Sequence, residues 1–347
     1  MLPKDFNSLR CNKIISFPKF VESDKKLSKG GETMDKIKMG ISRCLLGESV
    51  RYDGGHQHDR YLTDTLGNYF EYTPVCPEVE YGLPIPREAL RLVGKPDNAR
   101  LVTIKTGVDH TDGMLKWAQG KLKELGEKDL CGFVFKSKSP SSGMQAVKVY
   151  GPSGMPVHKG VGIFAGAFMR HFPILPVEED GRLHDPALRE NFIERVFVYK
   201  RWQELLKKGK TIKNLIDFHT DHKLLVMSHS PKHYSSLGKL VAASKGYRDD
   251  LFGDYIKTLM EGIRLIATVK KHTNVLHHIM GYFKKQLSSD EKQELLEVIN
   301  EYHRQLIPLI VPMTLLIHYV RKYGEPYLER QYYLHPHPIE LMLRNHV

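Results

Sequence analysis

Short apolar runs alternate with one amphipathic segment in the first half of the chain. Runs at 37–44 and 71–75 each predict a strand, and a cysteine stands at or just beyond the end of each run. A weaker run at 100–107 predicts a short strand or hairpin arm. Apolar positions at helical spacing predict a helix that stops at Gly126, and 132–135 predicts a buried strand before a loop rich in Ser, Pro and Gly. This alternation is typical of a parallel sheet, so we expect a Rossmann-like α/β domain.

The pattern becomes helical near residue 191 and stays so almost to the end of the chain. One predicted helix opens on SSDEKQELLEVI, with a Ser suited to the N-cap and acidic residues in its first turn. The last stretch, YLHPHPIELMLRNHV, has two X-Pro steps and predicts an irregular strap. We therefore expect a flexible N-terminal extension at 1–36, an α/β domain at 37–185 and an all-α domain at 186–347.

Composition excludes several classes of protein. The 347 residues are 41% hydrophobic, which is enough for packed cores and excludes global disorder. No run of about 18 apolar residues is present, so the sequence predicts no transmembrane helix. Four cysteines in a chain of this length exclude a disulfide-dense secreted scaffold, and the start of the chain lacks the apolar core of a secretory signal. We expect a cytoplasmic protein.

The net charge of +12 is concentrated toward the C-terminus. Residues 51–200 carry a net +1, whereas residues 201–347 carry 22 basic and 15 acidic side chains, a net +7, and 12 of the 18 histidines. This asymmetry fits a catalytic domain joined to a polyanion-binding domain. It fits equally well a helical bundle that lysines keep soluble, and charge alone leaves both interpretations open.

Three loops that follow predicted strands carry candidate chemistry. Cys44, Cys76 and the SPSSG loop all come at the carboxyl ends of strands, where parallel sheets bind ligands. Thiolates there suit a soft metal or an iron–sulfur cluster. The spacing is unlike the CxxC pairs of a zinc ribbon. Both cysteines also fit a role as small buried hydrophobes, so spacing alone leaves metal binding open.

The blocks around these positions carry a family resemblance. ISRCLLGESVRYDGG, PVCPEVEYGLPIPRE and FKSKSPSSGM resemble the signature blocks of the thiouracil desulfidase family. DFHTDHKLLVMSHSPKHYSSLGKL, HTNVLHHIMGYFKKQLSSDEKQELLEVI and the C-terminal strap resemble the YbgA-like helical domain. The two domains in this order are similar to bacterial desulfidases that remove sulfur from 4-thiouridine in transfer RNA.

The resemblance implies a 4Fe-4S cluster that is held by three protein ligands and leaves one iron open. Cys44 and Cys76 match the first two ligands, Glu78 matches the catalytic glutamate, and Ser139 matches the catalytic serine. The third ligand position is occupied here by Ser142 rather than by cysteine.

This departure leaves three cases open. Ser142 ligates through oxygen, Cys131 replaces it, or the protein has no cluster. Cys131 lies eleven residues earlier, at the start of the predicted strand, and therefore at the far end of the sheet. We expect Ser142 to occupy the ligand position with reduced or lost cluster occupancy, because a serine oxygen is a harder donor than a thiolate.

Further residues are candidates for contacts with a nucleotide. Arg51 and Asp53 follow the first block and are expected at the mouth of the site, although an Asp-Gly turn explains them as well. The basic candidates for RNA phosphates are Lys270, Lys271, Lys284 and Lys285. The pair His219 and His222 has metal-ligand spacing, but no confirming third ligand follows, so we expect helix packing there.

The resemblance therefore implies a non-redox, hydrolytic desulfuration of 4-thiouridine in transfer RNA. Sulfur would bind the open iron while Glu78 and Ser139 activate water. One alternative is desulfuration of free thiolated nucleobases. Another is a nucleic-acid-binding protein that has lost its cluster because of Ser142.

Overall fold

The computed structural model describes residues 35–246 and 250–346. The extension expected at 1–36 lies outside this part of the chain, apart from its last two residues. The described residues from Ile37 onward belong to one compact unit. Within them, no helix has both the length and the apolar character that crossing a membrane requires.

The described residues form eight strands and eleven α-helices. The strands are β1 (Ile37–Ser42), β2 (Phe70–Val75), β3 (Leu90–Lys95), β4 (Asn98–Thr103), β5 (Phe133–Phe135), β6 (Val147–Tyr150), β7 (Pro156–Gly160) and β8 (Val177–Glu179). The helices are α1 (Pro77–Tyr81), α2 (Thr111–Gly126), α3 (Ile163–His171), α4 (Pro186–Lys208), α5 (Ile212–His229), α6 (Pro231–Ala242), α7 (Leu251–Ile263), α8 (Val269–Tyr282), α9 (Ser289–His303), α10 (Ile310–Tyr323) and α11 (Pro326–Glu329).

The first sheet is parallel throughout, in the order β2-β1-β5-β8, which confirms the predicted α/β domain. Its two faces are covered by different helices. Met39 and Ile41 of β1 pack with α4, whereas Phe133 and Phe135 of β5 pack with α2 and α3. Gly40 is required at the centre of β1, since a Cβ there would overlap the ring of Phe133. Burial on both faces explains why these strands read as short apolar runs.

A second sheet, β4-β3-β6-β7, accompanies the first. It is mixed, with β3 antiparallel to β4 and parallel to β6. Leu92, Leu101 and Val149 pack beneath it with Met114 of α2. The short strand predicted at 100–107 is the one part of this sheet that the sequence indicated.

Helix α4 belongs to both hydrophobic cores. It begins at the N-cap Asp185, whose side chain accepts a hydrogen bond from the Leu188 amide. Phe192 and Val196 pack under the parallel sheet, whereas Trp202 belongs to the large core of the helical region. The all-α character predicted for the C-terminal half is confirmed. The predicted capping motif is also present at Ser288, where a complete capping box starts α9.

Candidate functional site

A cavity of about 470 Å³ opens at the carboxyl edge of the parallel sheet. Cys44 follows β1, Cys76 follows β2, and Ser139 and Ser142 follow β5, and all four line this cavity. The loops are neighbours because β1 lies between β2 and β5. The structure therefore brings together three loops that are distant in sequence.

The serine loop is held by its own backbone and by α3. The Ser139 Oγ accepts hydrogen bonds from the amides of Ser141 at 3.3 Å and Ser142 at 3.1 Å. The Ser141 carbonyl accepts from the amides of Phe164 and Ala165 in the first turn of α3. These contacts satisfy helix-terminal donors and hold the backbone of the serine loop against α3.

Glu78 and two serines form a hydrogen-bonded series. The Ser141 hydroxyl donates to Glu78 Oε1 at 2.5 Å, and the Ser139 and Ser141 hydroxyl oxygens are 3.0 Å apart. Because Ser139 Oγ already accepts two amide protons, its own proton is directed to Ser141. The series therefore runs from Ser139 at the cavity wall, through the fully buried Ser141, to the Glu78 carboxylate.

Ser141 is a site residue that the family resemblance did not identify. Its signal in the sequence is the S-x-S spacing of the SPSSG loop. That spacing predicts a turn but does not show which hydroxyl faces Glu78.

The sequence analysis also missed Lys136 and Asp180. The Lys136 ammonium lies 2.6 Å from the Asp180 carboxylate and, despite the opposing effect of burial, lowers the pKa of Asp180.

Cationic groups surround the single carboxylate of this cavity. The basic lining residues are Arg43, Arg51, Arg87, Lys136 and Lys138. Among the described lining residues, Glu78 is the one acidic side chain. The Arg87 guanidinium lies 3.9 Å from Glu78 Oε2 and also donates to the Val50 carbonyl at 3.0 Å. The positive lining favours a negatively charged ligand.

Burial raises the pKa of both cysteine thiols that line the cavity. It raises the pKa of Cys44 to about 11, with Lys136 opposing the shift. It raises the pKa of Cys76 to about 12, with the Glu78 carboxylate adding to the shift. The Cys76 thiol donates weakly to Glu78 Oε2 at 3.5 Å. Both groups are therefore protonated thiols at neutral pH, and metal binding would release their protons.

The two candidates for the third ligand, Ser142 and Cys131, lie at opposite ends of the strands. Ser142 is buried on the cavity wall, with its Oγ 3.4 Å from the Ser141 hydroxyl oxygen. Cys131 lies before β5, where its amide donates to the Lys38 carbonyl near the amino end of β1. Its thiol donates to Gln203 Oε1 at 3.1 Å. Cys44, Cys76 and Ser142 thus lie at one edge of the sheet and Cys131 at the other.

The two proposed substrate contacts pair with each other, with Arg51 Nε 3.5 Å from Asp53 Oδ1, but they differ in their position relative to the cavity. Arg51 lines the cavity, and its guanidinium lies 5.7 Å from the ring centre of Tyr52. Tyr52 also lines the cavity and is 45% exposed. Asp53 is exposed and accepts a hydrogen bond from the Gly55 amide at 3.1 Å, which lowers its pKa. Asp53 stabilises the turn, whereas Arg51 and Tyr52 border the opening.

Three of the four lysines proposed for RNA contacts are exposed, namely Lys270, Lys284 and Lys285. Lys271 is partly buried, and its ammonium donates to the carbonyls of His229 at 2.7 Å and Ile266 at 2.9 Å. Phosphate contacts are therefore proposed only for the three exposed lysines.

His219 and His222 are buried in the helical core, as expected for packing residues. His219 Nδ1 lies 3.1 Å from the Tyr255 hydroxyl, and His222 Nδ1 lies 2.7 Å from the Phe218 carbonyl. Burial lowers the pKa of His219 to about 4 and that of His222 to about 3.

Comparison with known proteins identifies both halves of the chain. Residues 39–180 match the model of the 2-thiouracil desulfurase family, and residues 223–338 match a family described as a protein of unknown function, DUF1722. The uncharacterized protein YbgA of Escherichia coli (strain K12) is 32% identical over 153 residues, which cover 44% of this chain and 90% of that protein. A solved structure described as a 4Fe-4S-dependent thiouracil desulfidase, TudS, is 28% identical with a TM-score of 0.35, and the match covers 43% of this chain and 95% of that chain. The chain therefore joins an N-terminal domain of the 2-thiouracil desulfurase family to a C-terminal domain of the YbgA family.

Proposed function

We propose that this protein hydrolyses the carbon–sulfur double bond of 4-thiouridine in transfer RNA. Water replaces sulfur, so that C=S and H₂O give C=O and H₂S without transfer of electrons. The family of the N-terminal domain supports desulfuration of a thiouracil. The observation that carries the proposal is the meeting of Cys44, Cys76 and Ser142 with the Ser139–Ser141–Glu78 series at one cavity.

The donor side chains around the cavity support an iron–sulfur cluster, although one of the three offers an oxygen instead of a thiolate. Cys44 and Cys76 would supply thiolates and Ser142 an oxygen. Among the described residues, the hydroxyl of Ser142 has one hydrogen-bond contact, the long one to Ser141, which leaves its oxygen able to ligate. When bound, the cluster supplies a soft Lewis acid for the substrate sulfur and makes sulfide a better leaving group. Because oxygen is a harder donor than sulfur, we propose that Ser142 lowers the affinity for the cluster.

The serine–glutamate series supplies the proton path. A water molecule at the cavity wall gives its proton to Ser139, whose Oγ gives up the longer of its two amide hydrogen bonds to accept it. Ser139 passes its own proton to Ser141, and Ser141 passes one to Glu78. Glu78 is thereby the general base, although it reaches the water through two hydroxyls. Arg87 holds the Glu78 carboxylate beside the cavity. The same series can return the proton to the departing sulfide.

The opening of the cavity favours a nucleotide within RNA over a free base. Arg51 and Lys138 offer cations for phosphates, and Tyr52 offers an exposed ring on which a base can stack. The basic YbgA-family domain, with the exposed Lys270, Lys284 and Lys285, would hold the rest of the transfer RNA. We place this reaction in the cytoplasm, where transfer RNA is found.

The proposal is tested by sulfide release from two substrates. The full chain is reconstituted with iron and sulfide without oxygen, then given 4-thiouridine-containing transfer RNA or free 4-thiouracil. We expect the higher kcat/KM for RNA and a steep loss of that preference with salt, since phosphate contacts release counterions. Equal kcat/KM values would favour the free base as substrate. No sulfide from either substrate, with a loaded cluster, would contradict desulfuration.

Replacing Ser141 with Ala is expected to lower kcat by about a hundredfold, the lower end of the range for general acid–base catalysis. The substitution interrupts the series between Ser139 and Glu78 without altering a residue that lines the cavity. KM should therefore change little. Steady-state kinetics of Ser141→Ala measure both constants, with the exposed Ser153→Ala as matched control. A rise in KM at unchanged kcat would show that Ser141 only shapes the site.

A further inference from the structure

A second cavity, of about 350 Å³, lies in the helical region and is unrelated to the proposed desulfuration site. Glu190 and Glu194 line it from α4. Four residues apart on one helix, they present their carboxylates on the same face. Both residues are buried, at 8% and 3% exposure, so the two carboxyl groups lie close together and away from solvent.

His337, in the C-terminal strap, completes this cluster. Its Nδ1 lies 3.1 Å from the Pro338 carbonyl oxygen, which can only accept, so Nδ1 carries the proton. Nε2 therefore presents a lone pair. This atom is buried and has no hydrogen-bond partner among the described residues.

One ligand atom from each of Glu190, Glu194 and His337 lies within 4.8 Å of the other two. Atoms that share one ion at bond lengths near 2.0 Å lie roughly 3.3 Å apart, so small side-chain movements would suffice. We propose that Glu190, Glu194 and His337 bind one divalent transition-metal cation beside the second cavity, which Glu190 and Glu194 line. An imidazole nitrogen with two carboxylates suits Zn²⁺, Mn²⁺ or Fe²⁺ better than Ca²⁺ or Mg²⁺.

The surrounding groups hold the carboxylates and leave lone pairs for the cation. The Arg344 guanidinium donates to Glu190 Oε1 at 3.0 Å and to Glu194 Oε1 at 2.8 Å. His229 Nε2 lies 3.1 Å from Glu194 Oε2, and His346 Nε2 lies 3.6 Å from Glu190 Oε2. A carboxylate can accept about four hydrogen bonds, so these partners leave lone pairs of both glutamates available. They orient the two carboxylates in the way that hydrogen-bond partners of metal ligands do.

The balance of charge supports a cation. The two buried carboxyl groups of Glu190 and Glu194 share one guanidinium, that of Arg344, among the described residues. Three separate stretches singled out in the sequence meet around Glu190 and Glu194. His229 at the end of α5 and His272 in α8 line the second cavity with them, and His337 in the strap belongs to the cluster. The competing explanation is that Arg344 alone neutralises the cluster.

Zinc binding to the full chain tests the site. The protein carries Cys44→Ser and Cys76→Ser, so that thiolates of the first cavity cannot bind the probe. Zinc content after dialysis and calorimetric titration are compared for this background, His337→Phe, Glu190→Gln and the control His335→Phe. His335 is an exposed histidine two residues away on the same strap.

We expect the background protein and His335→Phe to bind one tight Zn²⁺. His337→Phe and Glu190→Gln should each weaken that binding at least tenfold, as loss of a ligand requires. X-ray absorption of the bound zinc should show nitrogen and oxygen neighbours only. Unchanged affinity in folded His337→Phe, or no tight zinc in the background protein, would overturn the proposal in favour of Arg344 alone. Thermal unfolding without zinc establishes that each variant is folded.

Discussion

Glu78→Gln is expected to lower kcat for desulfuration by about 10²–10⁴-fold, the usual contribution of a general base. This loss corresponds to about 3–5 kcal/mol in the activation free energy. The amide nearly preserves the size of the side chain and can still accept the hydrogen bond from Ser141, but it cannot take a proton. The expected loss is therefore in kcat, with folding and cluster content unchanged. Sulfide release and iron content, measured on the same preparations, check both statements.

Glu71→Gln is the matched control for this substitution. Glu71 is an exposed carboxylate on β2, close in sequence to the site but outside the cavity. Its variant should retain wild-type turnover. Wild-type kcat in Glu78→Gln, at equal iron content, would remove Glu78 from the reaction and with it the proton path through Ser141.

Arg344→Ala is expected to lower the free energy of unfolding by about 3–5 kcal/mol, the cost of breaking a buried ion pair by removing one partner. Arg344 is 4% exposed and contacts both Glu190 and Glu194. Its guanidinium also donates a hydrogen bond to the Tyr333 carbonyl at 2.6 Å, which links the start of the C-terminal strap to its end. Removing it leaves two buried carboxylates without their main countercharge.

Urea denaturation without added metal measures this effect. The exposed Arg304→Ala, at the end of α9, should unfold at the wild-type midpoint. A wild-type midpoint for Arg344→Ala would show that the two glutamates are already neutralised in another way. That result would contradict the description of Arg344 as the countercharge of the cluster.

The central strands of the parallel sheet, β1 and β5, were predictable because they are short and largely buried. Residues 132–135 form an uninterrupted apolar run, and β5 is buried on both faces. The second sheet was largely missed because its strands are partly exposed. In β7, for example, three of five residues are exposed, so hydrophobicity does not distinguish the strand from a loop.

The loops of the candidate site were predictable, whereas the partners within them were not. Strand order places Cys44, Cys76 and the SPSSG loop at one edge by a general rule for parallel sheets. The role of Ser141 depends on contacts between the serine loop and α3, which sequence spacing does not reveal. Lys271 illustrates the same limit, because its ammonium satisfies two carbonyls that come together only in the folded helical region.

Iron binding at Ser142 tests the central claim most directly. The wild-type chain, Ser142→Cys and Ser142→Ala are reconstituted with iron and sulfide without oxygen, and bound iron and the visible iron–thiolate absorbance are measured. We predict that wild type binds a cluster, that Ser142→Cys binds it more fully, and that Ser142→Ala binds it least. A colourless wild type beside a Ser142→Cys variant that gains a cluster would contradict the account, since Cys44, Cys76 and Ser142 would then not form a cofactor site in the natural chain.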